Sequence, residues 1–295
     1  MPVTVGQVGP AVAGGRNFFR IVPMGEDFGR AAIDFVNDQL RPRLGVTRPL
    51  RYAIAHVDDP YGRAVAAGAA TEVSHQRLNL VADIPYTAKG ADYAGAAARI
   101  GAAHPDVLFV AAYLDDAVAL RRATIAAGVP LLASIGTSSS YCMPAFGSIL
   151  GRDAVGLFAS DKPDGPVVRE AALRPEGRRT LAWARARYRA AYHEDMSSYA
   201  LSGFAATYAL LTHVLPEASS DANAKAVARA ALQVKLAPGT LANGGGLDLA
   251  PPGSPDAGAN RAASGVIWQW IAPGTRAVVW PPAFATHAIV TSTTA

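Results

Sequence analysis

Between residues 51 and 136 the sequence alternates short apolar runs with longer alanine-rich segments, and this alternation restricts the fold more than any other feature. RYAIAHV (51–57), LNLVADIPY (78–86), DVLFVAAY (106–113) and PLLASIG (130–136) read as strands. GRAVAAGAATEVSHQ (62–76), DYAGAAARIGAAH (92–104) and DAVALRRATIAA (116–127) read as the helices between them. Runs of Val, Ile and Leu without polar alternation suit strands buried on both faces, and single helices between strands imply parallel pairing through crossovers. The pattern predicts a doubly wound α/β unit from residue 25 to about 160. Ahead of it, DFGRAAIDFVNDQL (27–40) gathers Phe28, Phe35 and Leu40 near one helical face, and Pro42 supplies a stop signal.

After residue 160 the pattern changes. Pro163, Pro166 and Pro175 mark a loop, followed by three helical segments with apolar faces, RRTLAWARARYRAAYHE, SSYALSGFAATYALLTHVL and DANAKAVARAALQ, with no strands between them. The glycine run in PGTLANGGGLDLAPPGSPDAGANR suggests a hairpin, and SGVIWQWIAPGTRAVVWPP reads as two strands around a Pro-Gly turn. At 295 residues and 51% hydrophobic content the chain can bury one large core or two ordinary ones, and its apolar residues are dispersed rather than gathered into a membrane span.

The net charge is +4, but the densest basic cluster, Arg178, Arg179, Arg185, Arg187 and Arg189, falls at spacings that suit the solvated face of one helix. No motif that reads DNA or RNA accompanies it, so no nucleic-acid partner is expected. The six histidines form no pair at ligand spacing, and one cysteine can build neither a disulfide nor a thiolate metal site, so no metal or cofactor is expected. GQVGPAVAGG (6–15) matches neither a dinucleotide nor a phosphate loop, and GTSSSYC (136–142) lacks the G-x-S-x-G elbow. Cys142, beside Met143 and Pro144, reads as a small buried apolar residue. The start, MPVTVGQVGPAVAGGRN, has no basic segment leading into an apolar one and predicts no secretory signal, so the chain as written would remain cytoplasmic.

The informative polar residues stand at the C-terminal ends of the predicted parallel strands: Asp58 to Tyr61 after the first, Tyr113 to Asp116 after the third, and Thr137 to Tyr141 after the fourth. Loops converge there and helix N-termini present free N–H groups, so one ligand-binding rim is expected. Asp59 and Asp116 equally suit caps for the helices they precede, and Pro60 suits a first helical turn. Tyr61 and Tyr113, each an apolar ring with a hydroxyl, suit ligand contact.

NFFRIVP, AIAHVDDPYGRAVAAGA, DYAGAAARIGAAHPDVLFVAAYLDDAVALRRA, SSYALSGFAATYALL and VIWQWIAPGTRAVVWPP occur in the order seen in the substrate-binding proteins of branched-chain amino acid ABC transporters. The chain resembles these type I periplasmic binding proteins over nearly its whole length. The resemblance implies an α/β fold of two doubly wound lobes joined by three crossovers, with the first lobe incomplete. Residues 1–23 would be a first-lobe remnant and first crossing, 24–160 the second lobe, 161–262 a helical return to the first lobe, and 263–295 strands re-entering the second. It implies no catalysis, a periplasmic location, hinge closure on a small amino-acid-like ligand, and an inner-membrane ABC permease as partner. It also makes the D-D-P-Y-G segment a cleft rim with Tyr61 and Tyr113 facing ligand, joined by Asp58, Asp116, Thr137 and Ser138.

Three departures shape the expectation. Where members that bind aliphatic amino acids place an acid after the glycine of the fourth strand, this chain has Gly136-Thr137-Ser138, so Asp58, Asp115 or Asp116 would hold a ligand ammonium, or the ligand is not an α-amino acid. The first-lobe loop offers mainly Thr4 and Gln7. The early βαβ units of that lobe have no counterpart, so the faces carrying Leu181, Tyr188, Tyr192, Phe204, Tyr208 and Leu211 would need a separate chain to supply the sheet. Other readings kept open are a ligand-sensing domain of the same fold, a shortened remnant, and a small α/β enzyme using Asp58 or Asp59.

Overall fold

A computed structural model describes residues 3–4, 18–218 and 223–291. The chain forms two units, one from residues 1–24 and 162–265 and one from 25–161 and 266–295, so the backbone passes between them three times.

The larger unit begins with α1 (Gly25–Phe35), which continues through a π-helical turn at Val36–Leu40 into a last turn at Arg41–Arg43. Pro42 therefore lies inside the helical run instead of stopping it. The wider π turn explains this, since it relieves the clash between a proline ring and the preceding turn. Then follow β3 (Arg51–Val57), α2 (Pro60–His75), β4 (Asn79–Tyr86), α3 (Tyr93–Ala102), β5 (Val107–Ala111), α4 (Leu114–Ala126), β6 (Ala133–Thr137), α5 (Pro144–Leu150) and β7 (Phe158–Asp161). After the excursion through the smaller unit come β10 (Val266–Ala272) and β11 (Thr275–Trp280). The seven strands lie in the order β11-β10-β7-β6-β5-β3-β4, parallel from β7 to β4, while β10 and β11 add antiparallel at the other edge.

Every residue of β5 and β6 is buried, as the unbroken apolar runs require, whereas the edge strand β4 is largely exposed. α1 packs on α2, and α3 on α4. The first pair touches through backbone: a Cβ on Gly68 would lie 2.2 Å from the Glu26 carbonyl oxygen.

Beside that contact, Gln76 donates to Asp34 at 2.6 Å and Glu72 at 2.9 Å. Burial, then the Glu72 charge, raises the Asp34 carboxyl to about 6. A carboxyl whose pKa is higher folded than unfolded favours folding most at low pH, and that contribution is lost as pH rises through about 6. Asp34→Asn is therefore expected to melt above the parent at pH 7.5, with the gap closing by pH 4; a constant gap in melts across that range would refute it.

The smaller unit holds the parallel pair β1 (Val3–Thr4) and β2 (Phe19–Arg20), then α6 (Pro175–Tyr192), α7 (Ser198–Ala209) and α8 (Ala224–Gln233), and the antiparallel pair β8 (Lys235–Leu236) and β9 (Leu247–Asp248). Phe19, Ile21, Ala205, Val227 and Leu247 share its core. Buried Asn260 binds three segments together, donating to the carbonyls of Ile21 and Gly246 at 3.0 Å and accepting from the Asp248 N–H at 2.9 Å. Arg185 does not share the solvated face expected of it. It is half-buried, and its guanidinium donates to the carbonyls of Gly165 and Val168, because α6 lies against the 165–168 segment. Trp183 and Leu211 remain more than half exposed and, with Phe204 and Tyr208, line an open apolar groove. Gln7 and the 6–15 stretch lie outside the described residues.

A tyrosine and carboxylate rim as candidate ligand site

The connection from β3 leads to α2 and that from β5 to α4, and these helices belong to different helix pairs. The crevice between the C-terminal ends of β3 and β5 is thus a topological switch point, where open parallel sheets bind ligands. The segment Asp58-Asp59-Pro60-Tyr61-Gly62 forms one side of it.

Asp59 is the N-cap of α2: one carboxylate oxygen accepts from the Gly62 N–H at 2.7 Å. Its other oxygen accepts from the Tyr113 hydroxyl at 2.8 Å, so capping and rim-building are performed by the same side chain. Pro60 opens the helix, its missing N–H falling where no intrahelical partner exists. Tyr61 then stands with its ring 5.3 Å from that of Tyr113, at 35°. Its hydroxyl shares a 2.6 Å hydrogen bond with the Thr137 hydroxyl at the end of β6. Three strand ends are joined by these contacts.

Burial pushes the Tyr61 phenol up against the lowering effect of the Ser139 and Thr137 hydroxyls. Burial, with the Asp59 carboxylate next, pushes Tyr113 up as well. Both phenols therefore stay protonated at neutral pH; Tyr113, whose one proton goes to Asp59, is left to accept from a ligand, and Tyr61 shares its hydrogen bond with the Thr137 hydroxyl, either of which can be the donor.

Not every expected residue joins the group. Asp58 is turned outward into an ion pair with Arg63 at 2.7 Å. Ser138 is buried in the turn after β6, where its carbonyl accepts from the Cys142 thiol at 2.9 Å. Asp116 does not cap α4, whose N-cap is Tyr113; it lies in the first turn, buried, and accepts from the Tyr93 hydroxyl at 2.7 Å. The helix starts two residues earlier than its apolar pattern suggests, which moves Asp116 off the cap position. Cys142 is buried as expected, but its surroundings are polar, since its thiol also donates to Asp161 at 2.7 Å.

Two residues were not anticipated. Tyr86 ends β4 opposite Val57, and Tyr93 meets it edge-on with ring centroids 5.7 Å apart. The rule that selects the other three strand ends applies equally to Tyr86, so the signal was present in the sequence. Among the described residues no group of three or more His, Cys, Asp or Glu side chains is placed to hold a metal ion.

A doubly wound sheet with a hydroxyl-rich rim at its switch point, connected to a second unit by three backbone passages, defines the class of two-lobed solute-binding proteins. The chain belongs to the periplasmic binding protein family, whose sequence profile matches residues 3–250. The fold is the type I form, and the family is one of binding proteins rather than enzymes.

Among curated relatives, a Leu/Ile/Val-binding protein homolog of Brucella suis is 24% identical over 140 residues, which are 47% of this chain and 35% of that protein. The chain thus aligns with about a third of the length of the curated relatives it matches. A leucine binding protein from Thermotoga maritima superposes with a TM-score of 0.72 at 15% identity, over 94% of this chain and 71% of its own. A putative branched-chain amino acid ABC transporter protein from Silicibacter pomeroyi gives 0.75 at 14%, over 98% and 74%. A solute binding protein of R. palustris, solved in complex with benzoate, gives 0.69 at 14%, over 97% and 71%. At these identities the likeness is one of fold.

Proposed function

We propose that this chain is the solute-binding component of an ABC-type importer. It holds a small polar molecule, an amino acid or a related carboxylate, at the rim of the larger unit, and delivers it from the periplasm to an inner-membrane permease. The observation that carries the reading is the pair of tilted, contacting rings of Tyr61 and Tyr113 at the switch point, tied to Asp59 and Thr137 by hydroxyl groups. Aromatic rings with a few convergent polar groups suit a small solute, and among the described residues no nucleophile with an aligned base accompanies them to suggest bond chemistry. The proteins alike in fold add support, since their names refer to leucine, branched-chain amino acids and benzoate.

Binding in this reading works by population shift: the ligand favours one arrangement of the backbone at the three crossings, with no covalent step.

The test is a thermal-shift screen against amino acids and small carboxylates, with Tyr61→Ala beside the parent. A ligand present at about a hundred times its Kd adds ~2.7 kcal/mol of stability, and the Tyr61→Ala variant is expected to lose that gain while still folding. A shift that survives intact in Tyr61→Ala would place the ligand elsewhere.

A further inference from the structure

At the end of the sheet opposite the rim, the loops that lead into β5 and β6 border an open groove of about 660 Å³. Pro105 and Val129 line it, with Ile125 from α4 and Leu132 from the loop before β6. Ile125 is 41% exposed and Leu132 47%. Single exposed aliphatic side chains are ordinary on a protein surface, but two that share one concave site mark a place where something apolar can be covered.

The same groove holds one satisfied ion pair and one unsatisfied cation. Asp106 accepts from both terminal nitrogens of Arg48 at 2.6 Å and from the Arg51 N–H at 2.8 Å. The bonds from Arg48 come first among the causes that hold the Asp106 carboxyl below its usual range, so these two charges cancel. Arg121, also in the lining, has no carboxylate partner. Its Nε donates to the Asp153 carbonyl at 3.0 Å, which fixes the guanidinium against a neutral group. Its two terminal nitrogens make no hydrogen bond or ion pair among the described residues, and the ring of His104 in the same lining makes none either. A positioned guanidinium is thus left with its forked end open beside an aliphatic surface.

We propose that this groove is a second binding site, for a small amphipathic anion whose carboxylate or sulfate accepts from the terminal N–H groups of Arg121 while its aliphatic part lies over Ile125 and Leu132. The paired N–H groups of a guanidinium match two oxygens of such a head group, a fit that neither an alcohol nor an ammonium offers. The aliphatic lining adds burial that a bare inorganic anion cannot use. A free molecule suits the site better than a membrane surface, because the groove is concave and its volume falls in the roughly 300–1,000 Å³ range of small-molecule sites. The inference does not depend on the solute-binding reading, since the groove lies at the N-terminal ends of β5 and β6 and the rim at the C-terminal ends.

Calorimetric titration of the full chain with octanoate and octyl sulfate, below the concentrations at which they form micelles, tests this beside octan-1-ol, octylamine and acetate. The two long anions are expected to bind, with the alcohol, the amine and acetate each at least ~10-fold weaker. Arg121→Gln should weaken octanoate ~10-fold or more, and Arg121→Lys, which keeps the charge without the fork, should fall between it and the parent. Leu132→Ser should weaken octanoate about 5-fold. Leu132 is half-exposed, so this variant keeps the fold and still tests the site if loss of the Asp153 bond loosens Arg121→Gln.

Octan-1-ol that binds as tightly as octanoate, or parent-like octanoate binding in both Arg121→Gln and Leu132→Ser, overturns the inference. Octanoate binding that is lost in Tyr61→Ala and kept in Arg121→Gln overturns it too, by placing the anion at the rim, and supports the solute-binding reading. No binding of either long anion at millimolar concentration, or attachment to phosphatidylglycerol vesicles without binding of the free anions, overturns the groove site and leaves the rim reading as it stands.

Discussion

Replacing Gly62 with alanine is expected to destabilise the protein by about 3 kcal/mol and to abolish ligand binding with it. A Cβ at this position would lie 1.9 Å from the carbonyl oxygen of Val57, the last residue of β3. The helix α2 starts so close to the strand it follows that only a residue without a side chain fits. Relief requires the helix N-terminus to move, and Tyr61 and the Asp59 cap move with it, so the rim loses its geometry along with the fold losing stability. In a urea melt the midpoint should fall without a change in slope. A variant within about 0.5 kcal/mol of the parent would show that the strand and helix are not in this close contact.

Trp270→Ala is expected to cost about 3–5 kcal/mol. Trp270 is buried in β10 and lies over Gly147, where a Cβ would stand 2.1 Å from the indole ring. Its indole N–H donates to the Tyr141 carbonyl at 2.7 Å, and Tyr141 stacks on Phe146 at 4.5 Å. Removing the indole leaves a cavity and an unpaired carbonyl together. Because Tyr141 ends the loop that begins at Thr137, affinity for the ligand should drop even at temperatures where the variant is fully folded. Trp270→Phe should recover part of the packing but not the hydrogen bond, and falls between the two. A loss below about 1 kcal/mol for the alanine variant would mean that the returning strands are not anchored through this residue.

The parts of the fold legible in the sequence are those whose side chains face one environment throughout. β3, β5 and β6 are buried on both faces, so their apolar runs announced them, and the helices between were bounded by the same contrast. β7 was not foreseen: Phe158-Ala-Ser-Asp161 is short and half polar, and it becomes a strand through its pairing with β6 on one side and β10 on the other. α5 has only seven residues, too few for a period to show. At the rim, residue types and strand-end positions suggested the location, but the partners of each side chain depended on packing between elements distant in sequence. Asp58 and Asp59 are adjacent and chemically identical, yet one pairs with Arg63 and the other caps α2 and holds Tyr113. The Asn260 bonds span as many as 239 positions, which no local pattern encodes.

The order in which the chain is made gives the sheet a vulnerable interval. β7 pairs on its outer side with β10, Asp161 opposite Val266, and the whole of residues 162–265 intervenes between them. A ribosome adding roughly 5–20 residues per second takes on the order of 5–20 s to cover that stretch of ~100 residues. Throughout that time the nascent sheet presents an unpaired edge whose lining, Phe158 to Asp161, is buried in the finished protein. Such an edge can pair with a neighbouring nascent chain as readily as with its own later strand. Yield during synthesis is therefore expected to depend on how quickly Val266–Ala272 arrive to occupy it, a quantity that equilibrium stability does not report.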